Sequence, residues 1–157
     1  MRVGHGFDVH RLVPDRALIL GGVKVEHTHG LLGHSDADVV IHALCDAVLG
    51  ASGKGDIGQH FPDSDPAYAG VDSRVLLREI AAMMQSEGYV LGNADLTIVA
   101  QAPKLMTYLP AMRANLATDL KAHENQLNIK ATTTEKLGYV GQKEGIAAHA
   151  VVLLEHA

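Results

Sequence analysis

Asp8-x-His10 offers one carboxylate and one imidazole on the same side of an extended segment, and His42 adds a second imidazole from a helical one. Two histidines and one aspartate make a three-ligand zinc set that leaves the fourth tetrahedral position to water or substrate, the catalytic arrangement of that metal. The spacing fits equally a surface aspartate beside a half-buried histidine, with His42 a polar residue at the edge of a buried helix face. Asp38 and Asp46 lie four residues to either side of His42 and share its stripe. Either is spaced to accept the second ring N–H that a ligand histidine must place, and a solvated acidic face is the plainer alternative.

Three further segments have the chemistry of phosphate sites. Gly33-His34-Ser35-Asp36 stands where a loop enters a helix, so its backbone N–H groups, the Ser35 hydroxyl and the His34 ring are placed to hold a phosphate; Ser35 also reads as a plain helix cap. Lys130-Ala131-Thr132-Thr133-Thr134-Glu135-Lys136 carries three hydroxyls, two ammonium groups and one carboxylate, more than a cap needs. That mixture suits a diphosphate with a hard cation such as Mg²⁺, which takes few carboxylates and completes its shell with phosphate oxygens. Ala100-Gln101-Ala102-Pro103-Lys104 ends a strand with backbone groups and a lysine open to a ligand, or forms a surface loop.

The elements that must position these residues follow from periodicity. Arg2–His10 alternates, with Val3, His5, Phe7 and Val9 on one face and Gly4, Gly6, Asp8 and His10 on the other. Gly21-Gly22 between Ala17–Leu20 and Val23–Val25 marks a tight hairpin. Ser35 as cap with Asp38 at the third helical position predicts a helix over 36–50, and Ser73 to Glu87, stopped by Gly88, a second. Residues 94–100 read as a strand, Pro110 opens a helix ending near Lys121, and Leu127–Ala131 and Ile146–Leu154 read as strands. The connection 50–70, rich in Gly, Pro, Asp and Ser, is long for a compact domain, which suits a functional or mobile segment. The expected fold is α/β (α+β), a single domain over 1–157 with a mixed β-sheet, helices packed on one face and a small β-hairpin.

Composition narrows the function classes. The net charge of −5 and the absence of tryptophan deny the chain the basic field and stacking surface of a nucleic-acid binder. No apolar run approaches the roughly 20 residues that span a bilayer. The single cysteine, Cys45, allows neither an intrachain disulfide nor a cysteine-rich zinc site, so the expected compartment is the cytoplasm. Six of the ten histidines fall within the first 42 residues, which concentrates the search for chemistry there.

Taken together, Gly4-His5-Gly6-Phe7-Asp8-Val9-His10, Gly21-Gly22, His34-Ser35-Asp36, Gly55-Asp56-Ile57-Gly58, Phe61-Pro62-Asp63, Ala100–Lys104 and Ala131–Glu135 resemble the 2-C-methyl-D-erythritol 2,4-cyclodiphosphate synthases, in order and over the whole chain. The resemblance implies an enzyme of the non-mevalonate isoprenoid pathway. It converts 4-diphosphocytidyl-2-C-methyl-D-erythritol 2-phosphate into the cyclic diphosphate and CMP by attack of the substrate's own 2-phosphate on its β-phosphorus. By the same resemblance Asp8, His10 and His42 hold zinc, with a phosphate oxygen as fourth ligand, and Glu135 holds a second divalent ion, Mg²⁺ or Mn²⁺. His34 and Thr133 stabilise the transition state and Ser35 seats the erythritol phosphate. Asp56, Ile57, Gly58, Phe61, Pro62, Asp63, Ser64 and Asp65 hold the methylerythritol. Ala100, Gln101, Ala102, Pro103, Lys104, Leu105 and Met106, with Thr132, Thr133, Thr134 and Glu135, form the cytidine and phosphate pocket.

The resemblance also implies a homotrimer with a site at each subunit interface and a central cavity that takes an isoprenoid diphosphate. Two positions depart from the pattern. Gln142 stands where some members carry a basic residue that holds that diphosphate, leaving Lys143 as its substitute, and Tyr139 adds a hydroxyl where many have Phe. Two other functions compete: a zinc phosphohydrolase using metal-bound water, distinguished by free phosphate as product, and a trimeric isoprenoid-diphosphate binder without catalysis. The presence of Asp8, His10, His34, His42, Thr133 and Glu135 together argues against the latter.

Overall fold

The computed structural model describes residues 1–157. The strands are β1 (Arg2–Pro14), β2 (Leu18–Leu20), β3 (Val23–Val25), β4 (His29–Leu32), β5 (Tyr89–Val99), β6 (Leu127–Thr132) and β7 (Gly145–His156). The helices are α1 (Val39–Ser52), α2 (Ile57–His60), α3 (Ser73–Ser86), α4 (Leu109–Leu120) and α5 (Gly138–Gly141). Five strands form one mixed sheet in the order β4-β1-β7-β5-β6, with β5 and β6 parallel and the other neighbours antiparallel; β2 and β3 form a separate hairpin. The mixed α/β expectation is borne out.

Alternation along β1 sorts its residues, and the sense of the sorting is instructive. Gly4 and Gly6 face the core, whereas Val3, Phe7 and Val9 are exposed. The glycines are required because a Cβ at either would overlap a carbonyl oxygen of α1, that of Ala47 at Gly4 and that of Ala43 at Gly6. The helix thus lies backbone to backbone on the strand. Its core side supplies Ile41, Leu44, Val48 and Leu49, which pack with Leu96 and Ile98 of β5 and Ile146, Ala148 and Ala150 of β7.

Helix α1 begins at Val39, three residues later than expected, because the cap is Asp38 and not Ser35: the Asp38 carboxylate accepts from the N–H groups of Val40 and Ile41. The same carboxylate accepts from Gly21 and Gly22 at 2.9 and 2.8 Å, so one buried aspartate ties the hairpin turn to the helix start. Strand β4 is an element the periodicity misses: four residues containing a glycine show no alternation, and only pairing with the end of β1 makes them a strand. Strand β5 begins five residues before the expected 94, at Tyr89, through a bulge at Leu91/Asn93. Helices α3 and α4 are joined by Asp119, whose buried carboxylate takes a two-point bond from Arg74 at 2.8 and 3.0 Å and a third from Arg78.

The 50–70 connection is built rather than open. Asp56 caps α2 and Asp65 caps a short 3₁₀ turn, while Asp46 accepts from the Ile57 N–H at 2.8 Å. Its far end is anchored by Gly70 N–H to the His34 carbonyl at 2.7 Å.

Candidate metal centre and ligand clefts

Register and capping bring the first-named residues together. Asp8 and His10 lie two apart on the core side of β1, beyond the glycines, and His42 sits in the first turn of α1. The Asp8 Oδ2 is 3.1 Å from His10 Nε2 and 3.0 Å from His42 Nδ1, and the three donor atoms lie within 4.8 Å of one another.

The other nitrogen of each ring is already committed. His10 Nδ1–H donates to the Leu32 carbonyl at 2.8 Å, a contact supplied by β4. His42 Nε2 meets the hydroxyls of Ser73 at 2.9 Å and Ser35 at 3.2 Å. With those nitrogens as donors, the neutral rings turn lone pairs toward an anionic carboxylate, and only a cation among the three atoms relieves the repulsion. Without a metal, protons play that part. Burial opposes the charge on Asp8, but hydrogen bonds from His10 and His42 outweigh it and bring the carboxyl down from 3.8 to about 2. The bond to Asp8 in turn raises His10 above its ordinary 6.5. The donor set therefore fits a divalent metal.

Neither Asp38 nor Asp46 orients His42, and buried Asp38 departs from the solvated acidic face that is the plainer alternative from spacing. Asp38 is fully occupied by four backbone N–H groups, and burial pushes it up to about 6 against those bonds. Asp46 points to Ile57, and burial raises it above the usual aspartate value. The partners of His42 Nε2 are the serines, and Ser73 comes from a helix 31 residues away in sequence, a pairing that only the tertiary fold creates.

Asp8, His10 and His42 line a cleft of about 250 Å³ together with His34, Ser35, Ile57, Gly58, Phe61 and Asp63. Tyr68, Val71 and Leu76, which sequence reasoning did not select, complete its wall. Asp56, Pro62, Ser64 and Asp65 are beside this wall in the chain but do not line it. Asp65 instead caps the 3₁₀ turn and accepts at its carbonyl from His34 Nε2–H at 3.1 Å.

A second cleft of about 580 Å³ opens at the ends of β5 and β6. Ala100, Gln101, Pro103, Lys104, Leu105, Met106, Lys130, Ala131, Thr132 and Thr133 line it, with Leu109 and Ile129 added by the fold. Ala102 precedes Pro103 through a cis peptide bond and does not line the cleft. Neither do Thr134 and Glu135: the Thr134 hydroxyl donates to the Leu137 carbonyl at 2.7 Å, and exposed Glu135 has a positive φ of 55° with its N–H on the Thr133 hydroxyl. Tyr139 lines neither cleft but a shallow depression with Phe7, Val9, Arg11 and His10, the last shared with the metal-lined cleft. Gln142 donates to the Lys136 carbonyl at 3.2 Å. No residue lines both the metal-lined cleft and the β5–β6 cleft.

Comparison with known proteins agrees over the whole chain. The model of the YgbB family matches residues 1–155. A 2-C-methyl-D-erythritol 2,4-cyclodiphosphate synthase of Geobacter metallireducens is 63% identical over 155 residues, covering 99% of each chain. A CDP complex of the Plasmodium falciparum protein named IspF superposes with a TM-score of 0.87 at 35% identity, over 99% of this chain and 96% of that one. The bifunctional IspDF of Campylobacter jejuni superposes at 0.96 with 44% identity; this chain covers 42% of its length and is itself covered to 99%. By motif, fold and whole-chain identity, the chain belongs to the YgbB family of 2-C-methyl-D-erythritol 2,4-cyclodiphosphate synthases.

Proposed function

We infer that the chain, as one catalytic domain over 1–157, converts 4-diphosphocytidyl-2-C-methyl-D-erythritol 2-phosphate into 2-C-methyl-D-erythritol 2,4-cyclodiphosphate and CMP, in the non-mevalonate route to isoprenoids. Family membership over the full length carries the reaction. The convergence of His10 Nε2, His42 Nδ1 and Asp8 Oδ2, with the remaining ring nitrogens bonded elsewhere, carries the location of the site.

The reaction needs no nucleophile from the protein. An oxygen of the substrate's 2-phosphate bonds to the β-phosphorus, the bond from that phosphorus to the bridging oxygen breaks, and CMP leaves with that oxygen. Since both reactants belong to one molecule, the protein's tasks are to fold the substrate into line and offset phosphate charge. Zinc held by Asp8, His10 and His42, and Mg²⁺ or Mn²⁺ held by Glu135, supply that charge neutralisation when bound.

The chain's own groups do the rest. His34 and Ser35, which line the metal-lined cleft, hold the erythritol phosphate, and His34 is steadied for this by its bond to Asp65. Ile57, Gly58, Phe61 and Asp63 enclose the methylerythritol and exclude water, with Asp56, Pro62, Ser64 and Asp65 shaping their loop. The β5–β6 cleft takes the cytidine: Ala100, Gln101, Pro103, Leu105 and Met106 frame the base, while Lys104, Thr132 and Thr133 meet the diphosphate; Ala102 and Thr134 shape the loops that carry them. Thr133 and His34 stabilise the transition state.

Separate clefts on one chain support a homotrimer in which the metal half of a site and the cytidine half come from neighbouring copies. The exposed apolar residues Val3, Phe7, Val9, Leu32 and Val151, on the side of the sheet away from α1, support the same assembly. An isoprenoid diphosphate would lie in the cavity so enclosed, with Tyr139, Gln142 and Lys143 nearby in sequence. No helix is long and apolar enough to cross a membrane, and a cytoplasmic location is the reading that agrees with the lone buried Cys45. Incubating purified protein with the diphosphocytidyl substrate and following ³¹P NMR tests the whole: cyclic diphosphate plus CMP is expected, and free phosphate in their place would instead mark a zinc phosphohydrolase.

A further inference from the structure

We propose that Ser73, fixed by Asp36, is the positioning residue that sets which nitrogen of His42 is free for the metal. The inference rests on the reading of Asp8, His10 and His42 as metal ligands.

Hydrogen-bond direction makes the argument. Asp36, a carboxylate, can only accept. It takes the Ser73 N–H at 3.0 Å on one oxygen, and the Ser73 hydroxyl with the Asp38 N–H on the other. The single proton of the Ser73 hydroxyl is thus spent on Asp36, so toward His42 the hydroxyl can only accept. Its partner there, Nε2 at 2.9 Å, must then carry the ring proton, which leaves the lone pair on Nδ1, 3.0 Å from Asp8. Ser35 adds a second acceptor to Nε2 at 3.2 Å while its own oxygen takes the Ala37 N–H.

Ser73 is completely buried at the first position of α3, and Asp36 also donates its backbone N–H to the Val71 carbonyl. The relay therefore joins three elements at one ring: the loop before α1, the end of the 50–70 connection and the start of α3. A hydroxyl free to rotate would donate to Nε2 as readily as accept from it, and donation would place the ring proton on Nδ1, where the metal must bind.

The test measures zinc affinity by chelator competition, independently of turnover. Ser73→Ala should weaken zinc binding about 10–100-fold, the usual effect of losing a partner behind a metal ligand, and Ser73→Thr, which keeps the hydroxyl, should restore most of it. In ¹⁵N-histidine spectra of metal-free wild-type protein at alkaline pH, His42 should show the Nε2–H form. Undiminished zinc affinity in Ser73→Ala overturns the proposal, as does a dominant Nδ1–H form in the wild type, a readout that stands even if the variant fails to fold. Wild-type protein that binds no zinc overturns the metal reading itself, whereas wild-type binding with an unaffected Ser73→Ala overturns only the role of Ser73.

Discussion

In the metal-lined cleft almost every polar group facing the ligands has a partner from another element, with Leu32, Ser35, Ser73 and Asp65 all serving the three histidine rings. The cleft at the ends of β5 and β6 is larger and presents Lys104, Thr132 and Thr133 to solvent with few such restraints. The difference follows from what each must bind. A metal site works only if its donors stand within tenths of an ångström of their places before the ion arrives, and that order must be built in one chain. On the proposed reading the second cleft takes a nucleotide, which brings its own shape and hydrogen-bonding groups, so a rim of strand-end backbone and exposed polar side chains is sufficient there.

The largest effect should come from breaking the ordered cleft at its centre. His42→Ala should lose bound zinc and lower kcat/KM by about a thousandfold or more, equivalent to roughly 4 kcal/mol of transition-state stabilisation, with the fold intact. Metal analysis beside circular dichroism checks it, and full zinc occupancy would remove His42 from the ligand set. Next, Glu135→Gln separates the two regions: zinc should stay while stimulation by added Mg²⁺ or Mn²⁺ disappears, with a turnover loss of about tenfold or more. An unchanged metal requirement would place the second ion elsewhere.

Gly6→Ala attacks the support of the ordered cleft without touching a ligand. The added Cβ would overlap the Ala43 carbonyl, so α1 must move or the chain must strain, costing about 1–3 kcal/mol and read as a lower urea midpoint. Zinc affinity should fall in parallel, whereas CDP binding at the β5–β6 cleft should change far less. The smallest effect is graded with pH. His10 is raised by Asp8, so zinc must displace its proton even slightly above the ordinary imidazole value, and affinity should decline about tenfold per pH unit once below it. Asp8, held at about 2, contributes to that decline only in strong acid. In the metal-free protein the signs for stability are opposite: the His10 share is lost as pH rises through its raised value, and the Asp8 share as pH falls toward about 2.

What could be read from residues alone was whatever neighbours in sequence determine. The alternation of β1, which puts Asp8 and His10 on one side, the Gly21-Gly22 hairpin and the helices α3 and α4 all depend on local period and spacing, whereas His42 joins Asp8 and His10 as a ligand set through the family resemblance. What could not be read depends on partners far away. Strand β4 exists through its register with β1, the cap of α1 was misplaced because Asp38 is also claimed by the distant hairpin turn, and nothing near His42 in sequence points to Ser73. Local spacing pointed instead to Asp38 and Asp46, which share a stripe with His42 but face other tasks. The separation of Thr133 and Glu135 from the cleft lined by Asp8, His10 and His42 is likewise invisible to motif order, which lists residues without their places in the fold.

The glycine contact between β1 and α1 has a mechanical consequence. Interfaces made of interlocking side chains accommodate heat and pressure by hopping rotamers and closing small voids. At Gly4 and Gly6 there are no rotamers to hop, and the strand meets the helix backbone directly. The spacing between Asp8 and His10 on one element and His42 on the other is therefore set by backbone contact that no side-chain motion can relax. Thermal breathing elsewhere in the domain should reach the ion as a displacement of the whole ligand set rather than as a change in the distances among its members.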